Sequence, residues 1–174
     1  GSTWTGNVVV DAVGARIGAH GGTGIISGSI SGGNLSVNAT NYNTTNYTMI
    51  FTGANSYGTT TIGGAATAGT GTNTMRLNIG ANGTTGTLGA GNVIINGDGM
   101  NGLLAFDRSD GYTLATGQTI TGAGTSVART FIEFDTQGTG FSSNGNAITL
   151  GTAATGGTFR FGQSRANTIT NINA

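Results

Sequence analysis

The chain has 174 residues, with 35 Gly, no Pro, no Cys and one His, and its six basic residues, all Arg, balance six acidic ones. Without Cys there is no disulfide framework, thiolate metal site or cysteine nucleophile, and without Lys there is no Walker-type phosphate loop, which ends in Gly-Lys-Ser/Thr. The balanced charge leaves no electrostatic footprint for nucleic acid or an anionic membrane.

Gly occupies about one position in five, against a usual share near 7%. Low-complexity disorder would fit that figure alone, but the chain is 36% apolar and rich in Thr, Val and Ile, which suit a pleated, half-buried surface. Helical periodicity is missing, and a Gly costs roughly 1 kcal/mol per helix position relative to Ala. Short runs with period two replace it. Ile25-Ile26 and Ile30 open the series, and Leu35, Val37 and Ala39 alternate with Ser36 and Asn38. Thr48 to Thr52, Thr59 to Ile62, Met75 to Ile79, Val93 to Ile95 and Leu103 to Phe106 follow. Gln118 to Thr121, Phe131 to Phe134, Ala147 to Leu150, Phe159 to Phe161 and Ile169 to Ile172 complete it.

Many short strands with regular turn signals predict an all-β fold. A sandwich, a barrel and a solenoid all satisfy that much. The solenoid is favoured because the strands are very short, the large apolar residues sit almost wholly inside them, and Asn-Gly or Asp-Gly hairpin turns do not dominate. The expected architecture is therefore a parallel β-helix, or β-solenoid, over residues 1–174, either complete or as one segment of a longer chain. At roughly 20 to 30 residues per coil it makes about six to eight coils, a rod of roughly 30 to 40 Å. Met75, Leu77 and Ile79 should then point inward with Arg76 and Asn78 outward. Ile132, Phe134, Phe159 and Phe161 should likewise face in, and Phe131, Glu133, Asp135 and Arg160 out. Asn tolerates left-handed backbone and can bond along the stack.

Phe51 to Ile62 (Phe-Thr-Gly-Ala-Asn-Ser-Tyr-Gly-Thr-Thr-Thr-Ile) resembles the opening of the autotransporter-associated β-strand repeat, also called the passenger-associated transport repeat. Its continuation is similar to Leu77 to Gly80, Gly83 to Gly89, Gly91 to Val93, Leu103 to Asp110 and the trailing Ile120 to Gly124. The repeat-like core is thus residues 49–125. Residues 65–73 depart from the pattern as an insertion, and the family's usual Lys after the Gly-rich turn is replaced. The resemblance implies a right-handed parallel β-helix on the outside of a bacterium, in a secreted passenger where such repeats aid export and form stalks. The outer-membrane barrel that accompanies such passengers is not within this sequence, which has no ten-residue lipid-facing strands with aromatic girdles, and no membrane insertion is expected.

Asp107, Arg108 and Asp110 form the densest charge cluster. Two carboxylates and a guanidinium could serve glycan cleavage or a Ca²⁺ site; the plainer expectation is a corner after a strand, with Arg108 bridging neighbouring coils. Glu133 and Asp135 alternate on one strand face, roughly 7 Å apart, which is compatible with an inverting glycosidase pair. They also read as a solvated outer face near Arg129 and Arg160. Gly97 to Gly102 faintly resembles a calcium β-roll nonapeptide, a motif that works in tandem. His20 stands alone, and zinc needs partners. Thr-x-Thr pairs at Thr59/Thr61, Thr70/Thr72, Thr85/Thr87, Thr119/Thr121 and Thr168/Thr170 raise ice binding, which needs one pair per coil on one face; their intervals are uneven. Trp4, Ile169 and Ile172 are candidates for end stacking, because neither terminal segment carries an amphipathic capping helix and repeat stacks need polar caps.

The expectation is a non-catalytic extracellular structural module (a stalk, surface fibre or adhesin part), not an enzyme and without a cofactor. Its partner would be the rest of a longer chain or a second copy stacked head to tail. A carbohydrate-binding or carbohydrate-cleaving β-helix and an ice-binding solenoid are the alternatives.

Overall fold

The computed structural model describes residues 1–19, 22–38, 46–63, 74–97, 101–123, 130–136, 140–150, 157–161 and 169–170, the last two stretches by their backbone alone. Every regular element among them is a β-strand. The chain first runs through β1 (Ser2–Trp4), β2 (Val8–Val10) and β3 (Ala15–Ile17), then β4 (Gly22–Ile26), β5 (Ile30–Gly32) and β6 (Leu35–Val37). Next come β7 (Tyr47–Phe51), β8 (Thr60–Gly63), β9 (Thr74–Gly83) and β10 (Val93–Asn96). They are followed by β11 (Asn101–Arg108), β12 (Tyr112–Thr113), β13 (Ile120–Ala123), β14 (Thr130–Phe134), β15 (Phe141–Ser142) and β16 (Ile148–Thr149). β17 (Gly157–Phe161) and β18 (Ile169–Thr170) end the series.

No strand pairs with its sequence neighbour. The long face is a seven-stranded sheet in the order β1-β4-β7-β9-β11-β14-β17, and the second face is a six-stranded sheet, β16-β13-β10-β8-β6-β3. Two short sheets, β2-β5 and β12-β15-β18, lie on the third side. Every pairing is parallel. Along the long face Ser2 pairs with Gly24, Gly22 with Tyr47, Tyr47 with Met75 and Thr130 with Gly157, steps of 22, 25, 28 and 27 residues. Parallel partners separated by one circuit of chain define a β-solenoid, the architecture expected from the strand pattern.

The register turns sequence alternation into columns. One inward column of the long face holds Ile26, Phe51, Ile79, Phe106 and Phe134, and another holds Met49, Leu77, Leu104 and Ile132. All are buried. The second face adds Val37, Ile62 and Ile95, and the third side adds Ile30, Tyr57, Leu88, Leu114 and Phe141, so a single apolar cluster fills the interior. Phe106 and Phe134 stack at 6.2 Å with an 8° interplanar angle, and Phe141 closes on both at 4.8 and 4.6 Å.

Corners are tight because the backbone of one coil runs directly against the next. Two residues beyond the inward column stand Gly6, Gly28 and Gly53. A Cβ on Gly28 would lie 2.1 Å from the Gly6 carbonyl oxygen, and one on Gly53 2.1 Å from that of Gly28. At the next such corner the register shifts, so that Arg108 pairs with Gly83.

The outer surface of the long face departs from the expectation. Phe131 faces outward with Glu133, but it is buried there with Leu103 and Ala105 in a second apolar cluster. Asn78 is outward and also buried. This part of the sheet is covered rather than solvated. The expected orientations of Phe159, Arg160 and Phe161 concern side chains outside the described part.

Candidate functional site

Arg108 ends β11 and reaches back to the preceding coil. Its Nη1 donates to the Gly86 carbonyl oxygen and its Nη2 to that of Thr84, both at 2.7 Å. Nε and Nη2 also donate to Asp110 Oδ1 and Oδ2, at 2.9 and 2.8 Å. The planar fork of the guanidinium suits this pattern of carbonyls and a two-oxygen carboxylate. Its carbon lies 5.8 Å from the centroid of the Tyr112 ring. Asp110 is held below the usual carboxylate range, chiefly by the hydrogen bond from Arg108. The cluster is thus a bridge between coils, and its charges compensate one another.

Beside it opens a recess of about 530 Å³, lined among others by Asn55, Thr87, Arg108, Asp110, Tyr112 and Gln118. Hydrogen bonds between coils form its walls. Asn55 Oδ1 accepts from Ile30 N at 2.8 Å, while Asn55 Nδ2 donates to the Thr87 carbonyl at 2.6 Å, so one carboxamide joins three coils. Gln118 Nε2 donates to the carbonyls of Gly89 and Gly91 at 2.9 and 2.6 Å, and Leu88 N donates to the Tyr112 hydroxyl at 3.0 Å. Gly89 lets the chain pass under Tyr57, whose ring would lie 2.5 Å from a Cβ at that position. Burial pushes the Tyr57 hydroxyl up to about 12 and also raises that of Tyr112.

Glu133 lies on the covered outer surface of the long face. Arg76 Nη2 donates to Glu133 Oε1 at 2.6 Å, and Arg76 Nε donates to Asn78 Oδ1. Arg76 is on β9 and Glu133 on β14, two strands away, with the small Ala105 of β11 as Glu133's register neighbour. The expected neighbour Arg160 is the register partner of Glu133 on the other side, and Arg129 lies outside the described residues. Sequence reasoning missed the Arg76 partnership because 57 residues separate the pair.

Of the acidic pair Glu133 and Asp135, Glu133 lies within β14 and Asp135 one residue past its end. β14 ends at Phe134, so Asp135 belongs to the corner, where its amide N donates to the Phe106 carbonyl at 2.8 Å. Asp107 follows Phe106 at the equivalent corner of the neighbouring coil, and one carboxylate oxygen each of Asp107 and Asp135 is shut off from solvent. The chain thus brings Asp107 beside Asp135 and holds Glu133 apart with Arg76.

Two of the Thr pairs, Thr59/Thr61 and Thr119/Thr121, fall at equivalent positions of the second face, but Asn92 and Ile94 stand between them. Thr85/Thr87 lies in a different corner. Thr70/Thr72, Thr168, His20, Asp98, Met100 and Ile172 lie outside the described residues. Ile169 pairs with Phe141 through its backbone, and Trp4 is 59% exposed in the first coil. No group of three or more His, Cys, Asp or Glu among the described residues could hold a metal ion. No helix among them is long and apolar enough to cross a membrane. No family model, no curated protein and no solved structure matches the chain.

Proposed function

We propose that this chain is a non-catalytic structural rod, an extracellular β-solenoid of the autotransporter-passenger kind that serves a bacterial surface as a stalk, fibre or adhesin module. One observation carries this reading. Arg108, Asp110 and Glu133, which could have formed a reaction centre, instead tie coils together, Arg108 to the carbonyls of the preceding coil and Glu133 to Arg76 two strands away. The resemblance of residues 49–125 to the passenger repeat supports the cellular setting.

The competing carbohydrate reading uses the same carboxylates. The test incubates the purified chain with a panel of bacterial and plant polysaccharides and measures released reducing ends. No release is expected. Release by the wild type that disappears in the Glu133→Gln/Asp135→Asn double variant overturns the structural reading. Ice binding requires threonines in consecutive coils; the interruption by Asn92 and Ile94 disfavours it, and thermal hysteresis in solution would reinstate it.

A further inference from the structure

We propose that the recess beside Arg108 is a binding site for a neutral sugar residue, which it holds through the sugar's hydroxyl groups and does not cleave. The proposal rests on the structural-rod reading, in its adhesin form, and names the ligand chemistry.

The recess, of about 530 Å³, lies beside β12 on the third side of the solenoid. Small-molecule sites span roughly 300–1,000 Å³. The polar groups of this lining are not all spent on the fold. Gln118 is only 3% exposed. Its Nε2 gives its hydrogens to the carbonyls of Gly89 and Gly91, which fixes which end of the carboxamide is the oxygen. Oε1 then has no donor among the described residues, yet it is not sealed inside the protein. It is an acceptor left open in the wall of the recess. Donors stand in the same wall. The Tyr112 hydroxyl accepts from Leu88 N, so its own proton remains to be given. Of the five N–H groups of a guanidinium, Arg108 directs four at Asp110, Gly86 and Thr84, and one on Nη1 is left over. Asn55 keeps the second hydrogen of Nδ2 in the same way.

An acceptor and several donors around one recess call for a ligand that both gives and takes hydrogen bonds over a short distance. Charge narrows the class. Arg108 and Asp110 are paired at 2.8 Å, so neither offers an uncompensated charge to an anion or a cation. Aromatic surface narrows it again. Tyr112 is the one aromatic residue of the lining, and its ring is already engaged by Phe106, at 4.7 Å between centroids, and by the Arg108 guanidinium. That leaves poor footing for a nucleobase or another flat ring. Hydroxyl groups on a saturated ring fit what remains, because each is donor and acceptor at once, and Ala90 and Ala115 supply apolar contact for the C–H face of such a ring.

Binding without cleavage follows from the same contacts. Glycoside hydrolysis uses two carboxyl groups flanking the scissile bond, one of them able to protonate the leaving oxygen. Asp110 is the one carboxylate of the lining, and Arg108 holds it ionised. The rim also offers places to close the recess without disturbing its walls. Ala90 and Ala115 are exposed and serve the fold through backbone alone. Ala90 N donates to the Tyr57 carbonyl at 2.7 Å, and the Ala115 carbonyl accepts from Gln118 N at 3.0 Å and from Asn146 Nδ2 at 2.7 Å. A large side chain at either position intrudes on the recess and removes none of these bonds.

Saturation-transfer NMR of the 174-residue chain with methyl glycosides at millimolar concentration tests this. The panel holds the glucoside, galactoside, mannoside and N-acetylglucosaminide, with a glucuronide and a sialoside as charged comparisons. Transfer to at least one neutral glycoside is expected, and it should be lost in Ala115→Trp. For the best binder Tyr112→Phe, which keeps the ring and removes the hydroxyl, should weaken affinity about threefold to tenfold. Both variants are read only with the far-ultraviolet circular dichroism of the wild type; should Ala115→Trp not fold, Ala90→Trp closes the same recess. No transfer to any neutral glycoside, transfer to the charged glycosides alone, binding that survives in the folded Trp variant, or equal affinity in folded Tyr112→Phe overturns the proposal and leaves the rod reading standing. Methanol released from a bound glycoside overturns the non-catalytic reading and leaves the site.

Discussion

Arg108 makes its largest contribution through bonds to backbone. Two carbonyls of the preceding coil and both oxygens of Asp110 accept from it, and charged hydrogen bonds of this kind contribute about 1.5–3 kcal/mol each at most. Arg108→Ala should lower stability by about 2–3 kcal/mol in urea unfolding, and Arg108→Lys should recover only part, since an ammonium cannot reproduce the planar fork. The pH dependence has two limbs. Asp110 sits below its ordinary value of 3.8 through Arg108, so its contribution is present above about pH 4 and is lost as pH falls through the folded-state value. The group is exposed, so the acid limb is shallow, and Asp110→Asn should abolish it. Tyr57 acts at the other extreme. Its hydroxyl, raised from 10.0 to about 12 by burial, keeps its proton where the unfolded chain has released it. Stability is therefore full below pH 10 and falls, by on the order of 3 kcal/mol, as pH rises to 12. In Tyr57→Phe most of that alkaline loss should vanish, leaving the smaller part due to Tyr112. Unfolding midpoints between pH 9 and 12 measure it. The role of Arg108 as a bridge was legible in the sequence, because a lone charge cluster in a chain so poor in charge has few other uses. Arg76 as the partner of Glu133 was not, since 57 residues separate the pair.

Strands and corners obey different constraints. Strands tolerate exchange among apolar residues of similar volume; corners where coils touch backbone to backbone do not tolerate a side chain. Gly28→Ala puts a Cβ 2.1 Å from the Gly6 carbonyl oxygen, so the first coil must move, at a cost of about 1–3 kcal/mol. The same change at Gly83, where a Cβ would meet nothing within 4 Å, should be nearly silent; thermal melting of the two variants separates them. Asn side chains are the second corner device. Asn34 Oδ1 accepts from Thr59 N and Asn92 Oδ1 from Thr119 N, each one coil onward, at 2.9 and 3.0 Å. Asn55→Ala should cost about 2 kcal/mol by leaving the Ile30 amide without its acceptor, and Asn55→Asp, which keeps that acceptor but sets a carboxylate oxygen against the Thr87 carbonyl, should not recover the loss. Most strands with two or more inward apolar residues were readable from alternation. β1, β2 and β3 were not: Ser2 to Trp4 are all exposed, and three-residue strands at the end of a stack show no alternation between core and solvent. β9 runs to Gly83, longer than its apolar pattern, because Gly83 finds a ladder partner in Arg108.

At the scale of the whole molecule, seven strands of one sheet spaced roughly 4.8 Å apart give a stack near 30 Å long. Neighbouring coils supply most non-local contacts, so folding should spread from the aromatic stack of Phe106, Phe134 and Phe141. Phe134→Ala, which leaves a cavity inside that stack, should cost about 3–5 kcal/mol, far more than Trp4→Ala at the exposed end. The sequence by itself determined the all-β class, the solenoid, the inward columns and the Asn and Gly corners. Each of these follows from steric and hydrogen-bonding preferences that act within a few residues, repeated coil after coil. Only the tertiary structure decided which outward residues are covered and that Arg76 meets Glu133 across 57 residues of chain. Those outcomes depend on the circuit length of each coil, and a change of one residue in that length moves every later side chain relative to its neighbour.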